Sequence, residues 1–532
     1  MSFTSYTFIL FLAIVFIVYY LMPSRKKWPV LLVASYIFYY YADPKYLIFI
    51  LITTISTYLI SRRFESLNNI QKEYLAKNKE TLSKEDKKAY KAKIKSKKWA
   101  FLLICLFINI GILCITKYTN FVISNINSIF TSDKPIAPID MIIPMGISFY
   151  TFQSMGYIID VYRGKQEAER NFFKLALFVS FFPQLVQGPI SRFSDLAPSL
   201  FGEHKFEIKT FSYGLMRILW GYFKKMIIAD RLVVAITTMT GATDTYFGTY
   251  VFVTMILYAI QLYADFTGGI DITIGIAQSL GITVAENFNL PYFSKNIKEY
   301  WNRWHITMGT WFTDYIFYPI SVCGPMLKLS KWSRKHLGNA IGKRVTVYLS
   351  SFVVWFTTGF WHGAAWNFIV WGLMNYVVIM ISQELEPLYA KFHKKFNVSG
   401  KPLYEGFQIL RTFLLMSMIR MFDVYRDVPL TFKMLSTMFT KPNLTVFTDG
   451  SLLNIGVSIE EYIVIGIAVL IVFLVSVYKL KFESKYGSIR DRLYENDYGM
   501  FALVSMLLFI AIIVFGAYGI GYDSNQFIYN QF

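Results

Sequence analysis

Residues 5–22 read SYTFILFLAIVFIVYYLM, a run of the chain that contains no charged residue. Apolar runs of similar length occupy residues 99–116, 461–478 and 500–519. About 20 apolar residues in a helix cross the roughly 30 Å hydrocarbon layer of a bilayer. Because such runs occur from one end of the 532-residue chain to the other, the sequence predicts a membrane protein with many spans rather than a single anchor.

Composition and charge agree with this prediction. Only 16% of the residues are charged, whereas soluble domains carry about 25%. The net charge of +19 is concentrated in residues 62–98, which hold 13 Lys or Arg and five Asp or Glu. Basic residues of membrane proteins gather in cytoplasmic loops, where they can contact anionic lipids. We therefore predict a basic cytoplasmic loop at 62–98, and no nucleic-acid partner, because no base-stacking platform accompanies the charge.

The positions of the basic segments predict the topology. Segments 23–27 and 62–98 are both basic, and two predicted spans, 28–43 and 45–60, separate them. Both segments should therefore be cytoplasmic, which places the N-terminus outside the cytoplasm. The basic segment 479–498 precedes the last apolar run and places the C-terminus outside as well. The predicted location is the plasma membrane.

The middle third of the chain is less regular. A span is predicted at about 140–161, whereas Pro and Gly interrupt the apolar residues of 172–190 and 267–300. Broken backbone at membrane depth occurs only where protein or a water-filled cavity surrounds it, so we expect the functional site here. Residues 208–232 are apolar but are interrupted by Arg217, Lys224 and Lys225, which predicts an amphipathic or interfacial helix.

His362 lies in the apolar stretch TTGFWHGAAWNFIVWG, between the aromatic residues Trp361 and Trp366. Small residues such as Gly359 and Gly363 would allow a backbone or a slender substrate to approach it closely. An ionisable side chain inside a span is costly and marks function by default. The alternative is a histidine that only hydrogen-bonds to a neighbouring helix.

His305 lies in the aromatic segment EYWNRWHITMGTWFTDYIFYPI, which also carries Trp304 and Asp314. This pattern predicts a re-entrant or interfacial helix whose polar side faces a cavity; the alternative is an aromatic belt at the headgroups. Two histidines suit general base chemistry on a hydroxyl. No metal is predicted, because neither histidine has a carboxylate or Cys at ligand spacing.

Motifs of other enzyme and transport classes do not occur in the sequence. There is no Gly-x-Ser-x-Gly nucleophile elbow and no Gly-x-x-x-x-Gly-Lys-Ser/Thr phosphate loop, which argues against a serine hydrolase and against ATP-driven transport. Three functions stay open at this point: acyl transfer, transport or flipping of lipid-linked sugars, and a structural scaffold for a cell-envelope synthase.

Three stretches, in this order, carry a resemblance to a known family. They are PMGISFYTFQSMGYIIDVYRG (144–164) followed by FFPQLVQGPISRF (181–193), the long segment LYADFTGGI to DYIFYPI (262–320), and GFWHGAAWNFIVWG (359–372). Together they resemble the membrane-bound O-acyltransferases (MBOAT). The branch they resemble most contains the membrane subunits of bacterial alginate O-acetyltransferase and relatives that act on peptidoglycan and other exopolysaccharides.

The resemblance implies roles for individual residues. It implies that His362 is catalytic and that His305 is the second functional position. As candidate substrate contacts we select five further residues, namely Trp304, Asp314, Trp361, Asn367 and Gln187. The sequence departs from the branch at Thr313, where Arg is usual, and at 321–324, where a Gly-Gly-Asn-Arg turn is usual. These departures concern the cytoplasmic entrance and the choice of donor.

The resemblance also implies an architecture and a reaction. We predict an all-α, polytopic membrane domain over 1–532, with about 11 to 13 spans and re-entrant helices around a central passage, a catalytic core at about 117–400 and C-terminal helices at 401–532. No permanently bound cofactor is expected, and the acyl donor implied is acetyl-CoA or another acyl thioester. An extracytoplasmic SGNH-type acetyltransferase or esterase is the implied partner, and a polysaccharide or cell-wall polymer the acceptor. The alternative within the family is D-alanyl transfer to teichoic acid.

Overall fold

The computed structural model describes residues 2–130, 135–141, 143–518 and 522. Helices dominate these residues, which contain no strand and a single isolated antiparallel bridge between Phe288 and Trp304. The all-α class is therefore confirmed. The chain forms two compact units, Met1–Phe211 with Ile276–Ala285 and Ser212–Gly275 with Glu286–Phe532. The prediction of one domain over the whole chain stays a prediction, and the two units are described separately.

Six helices of the described residues are long and apolar enough to cross a membrane. Their outward surfaces are apolar: Ile463, Ile467 and Leu470, on one of these helices, are each more than half exposed. Such exposure suits lipid and not water. A multi-pass membrane protein is thus confirmed; the predicted total of 11 to 13 also counts shorter and re-entrant helices. The six are Pro44–Lys77, Lys84–Ile129, Thr249–Ser279, Trp366–Glu384, Ile459–Lys481 and Tyr498–Phe515.

The first unit contains the N-terminal helices. The basic segment 62–98 consists of the end of one long helix, a short turn and the start of another, and most of its side chains are exposed. The helix bounds are Tyr6–Leu21, Lys27–Ala42, Leu47–Lys77, Lys84–Ile129, Ile147–Arg163, Phe172–Ser180, Phe182–Leu185 and Phe193–Leu200. Two further helices, Ile208–Tyr222 and Thr249–Ser279, begin or end in this unit and continue in the other.

The span predicted at about 140–161 begins later than expected. Its helix is Ile147–Arg163, preceded by Gly146 with φ 70°. A helix cannot extend backwards through this left-handed glycine, and Pro144 lies just before it. The next apolar stretch, 172–190, is broken as predicted, and almost all of its described side chains after Lys174 are buried. Protein therefore surrounds the irregular backbone, as membrane depth requires.

The second unit contains the remaining helices. A glycine with φ 80°, Gly338, divides the segment Gly324–His362 into two helices. The other helix bounds are Asp230–Gly241, Ile297–Arg303, Ile306–Phe312, Tyr318–Ser321, Trp366–Glu384, Glu386–Phe396, Pro402–Ile419, Met421–Tyr425, Val428–Thr440, Ile459–Lys481, Glu483–Tyr486, Ile489–Asn496 and Tyr498–Phe515. Two π-helical segments, Phe223–Ala229 and Thr313–Phe317, interrupt the α-helical pattern. The predicted terminal span at 500–519 ends at Phe515, and residue 519 lies outside the described residues.

The segment predicted as an amphipathic helix, 208–232, differs from that expectation. Lys224 and Lys225 are buried in the π-helical segment. Lys225 Nζ lies 2.5 Å from Asp265 Oδ1 and 2.6 Å from Asp230 Oδ1, and Lys224 Nζ lies 2.6 Å from Asp271 Oδ2. The basic residues therefore face carboxylates of the same unit and not the membrane surface.

Glycines allow two pairs of helices in this unit to approach closely. A Cβ added at Gly221 would meet Gly268 O at 2.6 Å, and a Cβ added at Gly372 would overlap the carbonyl oxygen of Trp355. Small residues at membrane helix interfaces permit backbone-to-backbone contact of this kind. The second contact joins the helix that ends at His362 to the helix that follows it, and so fixes the position of the histidine.

Candidate active site

His305 occupies a sharp turn between two short helices. Its φ of 47° is left-handed, which is uncommon for a residue with a side chain. The helix Ile297–Arg303 ends just before it and the helix Ile306–Phe312 begins just after it. The side chain is 1% exposed. The predicted re-entrant or amphipathic helix is thus two helices joined at the histidine.

Asn287 holds this turn in place. Its Oδ1 accepts hydrogen bonds from Thr307 N at 3.1 Å and from Thr307 Oγ1 at 2.9 Å, and it lies 3.2 Å from His305 Nδ1. The Asn287 carbonyl also accepts from Ile306 N at 3.0 Å. If the bond to Oδ1 is made, Nδ1 carries the proton and Nε2 is the basic nitrogen of the neutral imidazole. Asn287 therefore orients the ring as well as the turn.

His362 is the last residue of its helix and is 9% exposed. Two indole rings enclose it: the ring centroids of Trp371 and Trp361 lie 4.5 Å and 5.0 Å from that of the histidine. Extended backbone at Gly363 follows, and a Cβ there would overlap the ring of Phe368. Glycine is therefore required directly after the histidine, where the chain turns into the helix Trp366–Glu384.

Trp361 connects the two histidines. Its ring centroid lies 6.2 Å from that of His305 and 5.0 Å from that of His362. Phe266 packs edge-on against His305 at 5.1 Å. The two imidazoles thus belong to one buried aromatic cluster, in which a substrate would meet few competing water molecules.

Arg420 supplies a positive charge beside this cluster. Its guanidinium lies 4.7 Å from the ring centroid of Trp371 and 5.2 Å from that of Trp304. Asp423 Oδ2 accepts a hydrogen bond from Arg420 Nη1 at 3.1 Å, and both side chains are buried. The ion pair neutralises the charge, and the indole faces stabilise the cation.

The structure brings together most of the residues selected from sequence. His305, His362, Trp361 and Trp304 lie in this aromatic region, and Asn367 Nδ2 donates to Phe422 O at 3.0 Å, next to the Arg420 ion pair. Two selected residues do not join the cluster through any described contact. Asp314 is half-buried in the π-helical segment, and Gln187 is buried in the first unit, so their contact with substrate stays a prediction.

Four residues of the site were not selected from sequence: Asn287, Phe266, Trp371 and Arg420. Arg420 and Asp423 carried a usable signal, since they are two opposite charges three residues apart in an apolar stretch. Asn287 carried none, because an asparagine in a Gly- and Asn-rich segment has no distinguishing pattern. Within the described ranges no three His, Cys, Asp or Glu side chains are placed to hold a metal ion.

Comparison with the sequences of known proteins shows the family of this chain. The model of the membrane-bound O-acyltransferase family matches residues 168–422, a range that includes both histidines and Arg420. The probable alginate O-acetylase of Azotobacter vinelandii is 34% identical over 388 residues, which cover 72% of this chain and 69% of that protein. The chain belongs to the membrane-bound O-acyltransferase family. It is therefore a membrane O-acyltransferase.

Two other relatives place the chain within the membrane-bound O-acyltransferases. A peptidoglycan O-acetyltransferase of Helicobacter pylori is 30% identical over 415 residues, which cover 72% of this chain and 70% of that protein. A teichoic acid D-alanyltransferase of Bacillus subtilis is also 30% identical, but over 268 residues, or 49% of this chain. The similarity to the O-acetyltransferases thus extends over more of the chain than the similarity to the D-alanyltransferase.

Proposed function

We propose that this O-acyltransferase moves an acetyl group from a cytoplasmic thioester across the membrane, for O-acetylation of an extracellular polysaccharide or cell-wall polymer. The observation that carries the proposal is the joining of His305 and His362 through Trp361 in one buried aromatic cluster. The names of the relatives, alginate O-acetylase and peptidoglycan O-acetyltransferase, support acetyl as the group and a polymer as its destination.

His362 is the catalytic base in this proposal. Its neutral imidazole takes the proton of the acceptor hydroxyl as the oxygen attacks the carbonyl carbon of the thioester. The carbon–sulfur bond then breaks, and the imidazolium returns the proton to the leaving thiolate. A new ester and a free thiol result, so that no other reactant is consumed. The indole rings of Trp361 and Trp371 keep the imidazole in place during both proton transfers.

His305 positions a reactant in the same proposal. Asn287 fixes its ring, and its left-handed backbone fixes the turn that presents it. Nε2 is the nitrogen directed away from Asn287, and as the unprotonated nitrogen it would accept a hydrogen bond from the acceptor hydroxyl. Acetyl-CoA is the donor that we propose, and Trp304, Asp314, Asn367 and Gln187 remain candidate contacts for donor or acceptor.

A separate extracytoplasmic protein of the SGNH type completes the pathway in our proposal. A buried site inside a membrane chain cannot accommodate a long polymer, so a carrier protein would take the acetyl group to it. Extracytoplasmic termini would leave the outer surface to that partner. D-alanyl transfer to teichoic acid is the second candidate, supported by the D-alanyltransferase relative over about half of the chain.

The test replaces His362 by glutamine, which keeps a polar side chain of similar size but not the base. The variant is expressed in its own host, and mild base releases ester-linked acetate and D-alanine from the purified extracellular polymers. We expect ester acetate to fall at least about a hundredfold, the usual contribution of a general base, with the protein still present in the membrane.

The matched control is His336→Gln, because His336 is exposed and stacks only on Trp332. This variant should retain wild-type acetate. Unchanged ester acetate in a normally inserted His362→Gln protein would refute the proposal. Loss of D-alanine with unchanged acetate would establish the second candidate instead.

A further inference from the structure

A cavity of about 440 Å³ lies in the second unit, and neither histidine lines it. Residues of five helices form most of its walls, together with residues of the π-helical segment Phe223–Ala229, the short helix Glu483–Tyr486 and the stretch 286–290. Three of the five helices lie C-terminal to the family-model match at 168–422. A volume of this size is typical of small-molecule sites. The helices are Ile208–Tyr222, Thr249–Ser279, Ile459–Lys481, Ile489–Asn496 and Tyr498–Phe515.

Charged side chains cluster in one part of the cavity lining. Arg217 contacts Asp271 at 2.9 Å and Glu286 at 2.6 Å, and Lys224 contacts Asp271 at 2.6 Å. Lys479 lies close enough for its charge to act on Lys224. The lining holds four cations and three carboxylates in total, which leaves one positive charge; the remaining members are Arg490 and Glu483.

Lys479 is the cation whose charge is not taken up inside the protein. Its side chain is exposed, and it makes no hydrogen bond or ion pair with any described residue. Arg490 adds to the positive character: it donates from Nη1 to Tyr213 O at 3.1 Å. Burial and the neighbouring charge of Arg217 lower the pKa of Arg490, while the charges of Asp491 and Glu286 act in the opposite direction. A negatively charged ligand would add a favourable interaction with both arginines.

Away from the charged cluster the lining is mostly apolar. Along one helix, Ile459–Lys481, the lining residues run from apolar to charged: Ile471, Val472, Val475, Ser476, Tyr478 and Lys479. At 1.5 Å per residue, Lys479 lies roughly 10 Å along the axis from Val472. Val504 and Leu508 of the last helix form further apolar lining. The cavity is therefore amphipathic.

The change from apolar to charged lining residues follows the change from the hydrocarbon layer to the headgroups of a bilayer. Lys479 adjoins the basic segment 479–498, which is predicted to be cytoplasmic, whereas Val472 and Val504 lie inside helices that can span the membrane. We propose that the cavity binds an anionic phospholipid, with its phosphate beside Lys479 and Arg490 and one acyl chain along Val472, Val475, Val504 and Leu508. The remaining chain extends into the surrounding bilayer.

The charge of the cavity favours an anionic lipid over other occupants. A neutral lipid would bring no charge to offset the net positive charge of the lining residues. Inorganic phosphate alone would leave the apolar lining empty. A phospholipid with a net negative charge satisfies both parts, and a lysine near an anionic headgroup contributes about a fivefold gain in affinity. This proposal does not depend on the acyl-transfer reaction.

The test measures lipid binding to the purified full-length protein by native mass spectrometry after delipidation. Dioleoyl-phosphatidylglycerol is the anionic probe and dioleoyl-phosphatidylcholine the zwitterionic one. We expect Lys479→Gln to weaken phosphatidylglycerol binding roughly fivefold and Val475→Trp to abolish the tightest bound copy by filling the cavity. Leu508→Trp fills it from another helix and repeats the test if Val475→Trp does not fold.

Matched controls change the same residue types outside the cavity. Lys481→Gln and Leu474→Trp alter exposed residues of the same helix, and both should bind as the wild type does. Equal binding of the two lipids would overturn the proposal, as would wild-type binding by Lys479→Gln and both cavity-filling variants. Inorganic phosphate is tested as a further probe. If it binds the wild type and Val475→Trp equally well, the cavity is an anion site that holds no lipid chain, and the proposal is overturned.

Discussion

Two regions of the second unit place ionisable side chains away from water, and they do so in opposite ways. Lys225 is fully buried, and two carboxylates lie within 2.6 Å of its ammonium group. His362 is buried as well, but aromatic rings are its nearest described neighbours. Opposite charges neutralise the lysine, whereas apolar rings leave the basicity of the imidazole available.

The difference shows how to separate structure from function in a membrane protein. An ionisable residue inside an apolar stretch is costly in both cases. Where charged partners compensate the cost, the residue stabilises the fold. Where a titratable ring is enclosed by aromatic side chains next to a second histidine, it is suited to proton transfer. The comparison predicts that changes in the first region affect stability and changes in the second affect activity.

The largest expected effect on stability comes from Lys225→Met. The substitution leaves Asp265 and Asp230 buried without their common partner, and breaking a buried pair in this way costs about 3–5 kcal/mol. Unfolding in an SDS titration should shift accordingly, or the protein should fail to accumulate. Adding Asp265→Asn to Lys225→Met should recover part of the loss, and the exposed control Lys481→Met should behave as wild type. If Lys225→Met were as stable as the wild type, the view that charge-paired residues stabilise this fold would be wrong.

A smaller effect, on activity, is expected for His305→Asn. Asparagine tolerates the left-handed backbone of this turn better than most residues, so the fold should be kept while the imidazole is lost. We expect ester acetate on the polymer to fall roughly ten- to hundredfold, as misplacement of a reactant does. The SDS unfolding transition should stay close to that of wild type. A large loss of stability with normal specific activity would assign His305 to the structural class.

The smallest effect is expected for Arg420→Lys. This substitution sharpens the comparison because Arg420 both pairs with a carboxylate and packs against aromatic rings. Lysine keeps the charge and can still pair with Asp423, but it loses the planar stack against Trp371. We expect a loss of about 1 kcal/mol in stability and a less than tenfold loss of acetylation. A total loss of activity at normal stability would instead place Arg420 in contact with a reactant.

Much of the fold follows from the sequence because apolar runs and basic segments each have a direct physical meaning. The helix Ile459–Lys481 coincides closely with the run at 461–478, and a capping box at Ser458 and Glu461 marks its start. The late start at Ile147 was less predictable, since it depends on the left-handed conformation of Gly146. Hydropathy does not predict a helix boundary that depends on the backbone conformation of one residue.

The site was predictable to the extent that its residues lie in recognisable motifs. His362 and His305 were found because the resemblance and the cost of burial indicate the same residues. Residues 208–232 were predicted as an amphipathic or interfacial helix, because hydropathy cannot show that Asp265 and Asp271 of another helix are the partners of Lys225 and Lys224. The contacts of Arg420 and Asn287 likewise depend on which segments pack together in the fold. These contacts cannot be predicted from the sequence of one segment alone.

The two π-helical segments, Phe223–Ala229 and Thr313–Phe317, have a consequence for sequence comparison. A π-helical turn holds one residue more than an α-helical turn, so deleting one residue there restores the α-helix and re-aims the side chains of the segment itself, whereas the helix that follows keeps nearly the same phase. Lys225 and Asp314 would then change direction without any substitution. A single-residue gap at either segment in an alignment of relatives would therefore mark the loss of the π-helical turn rather than a rotation of the whole helix.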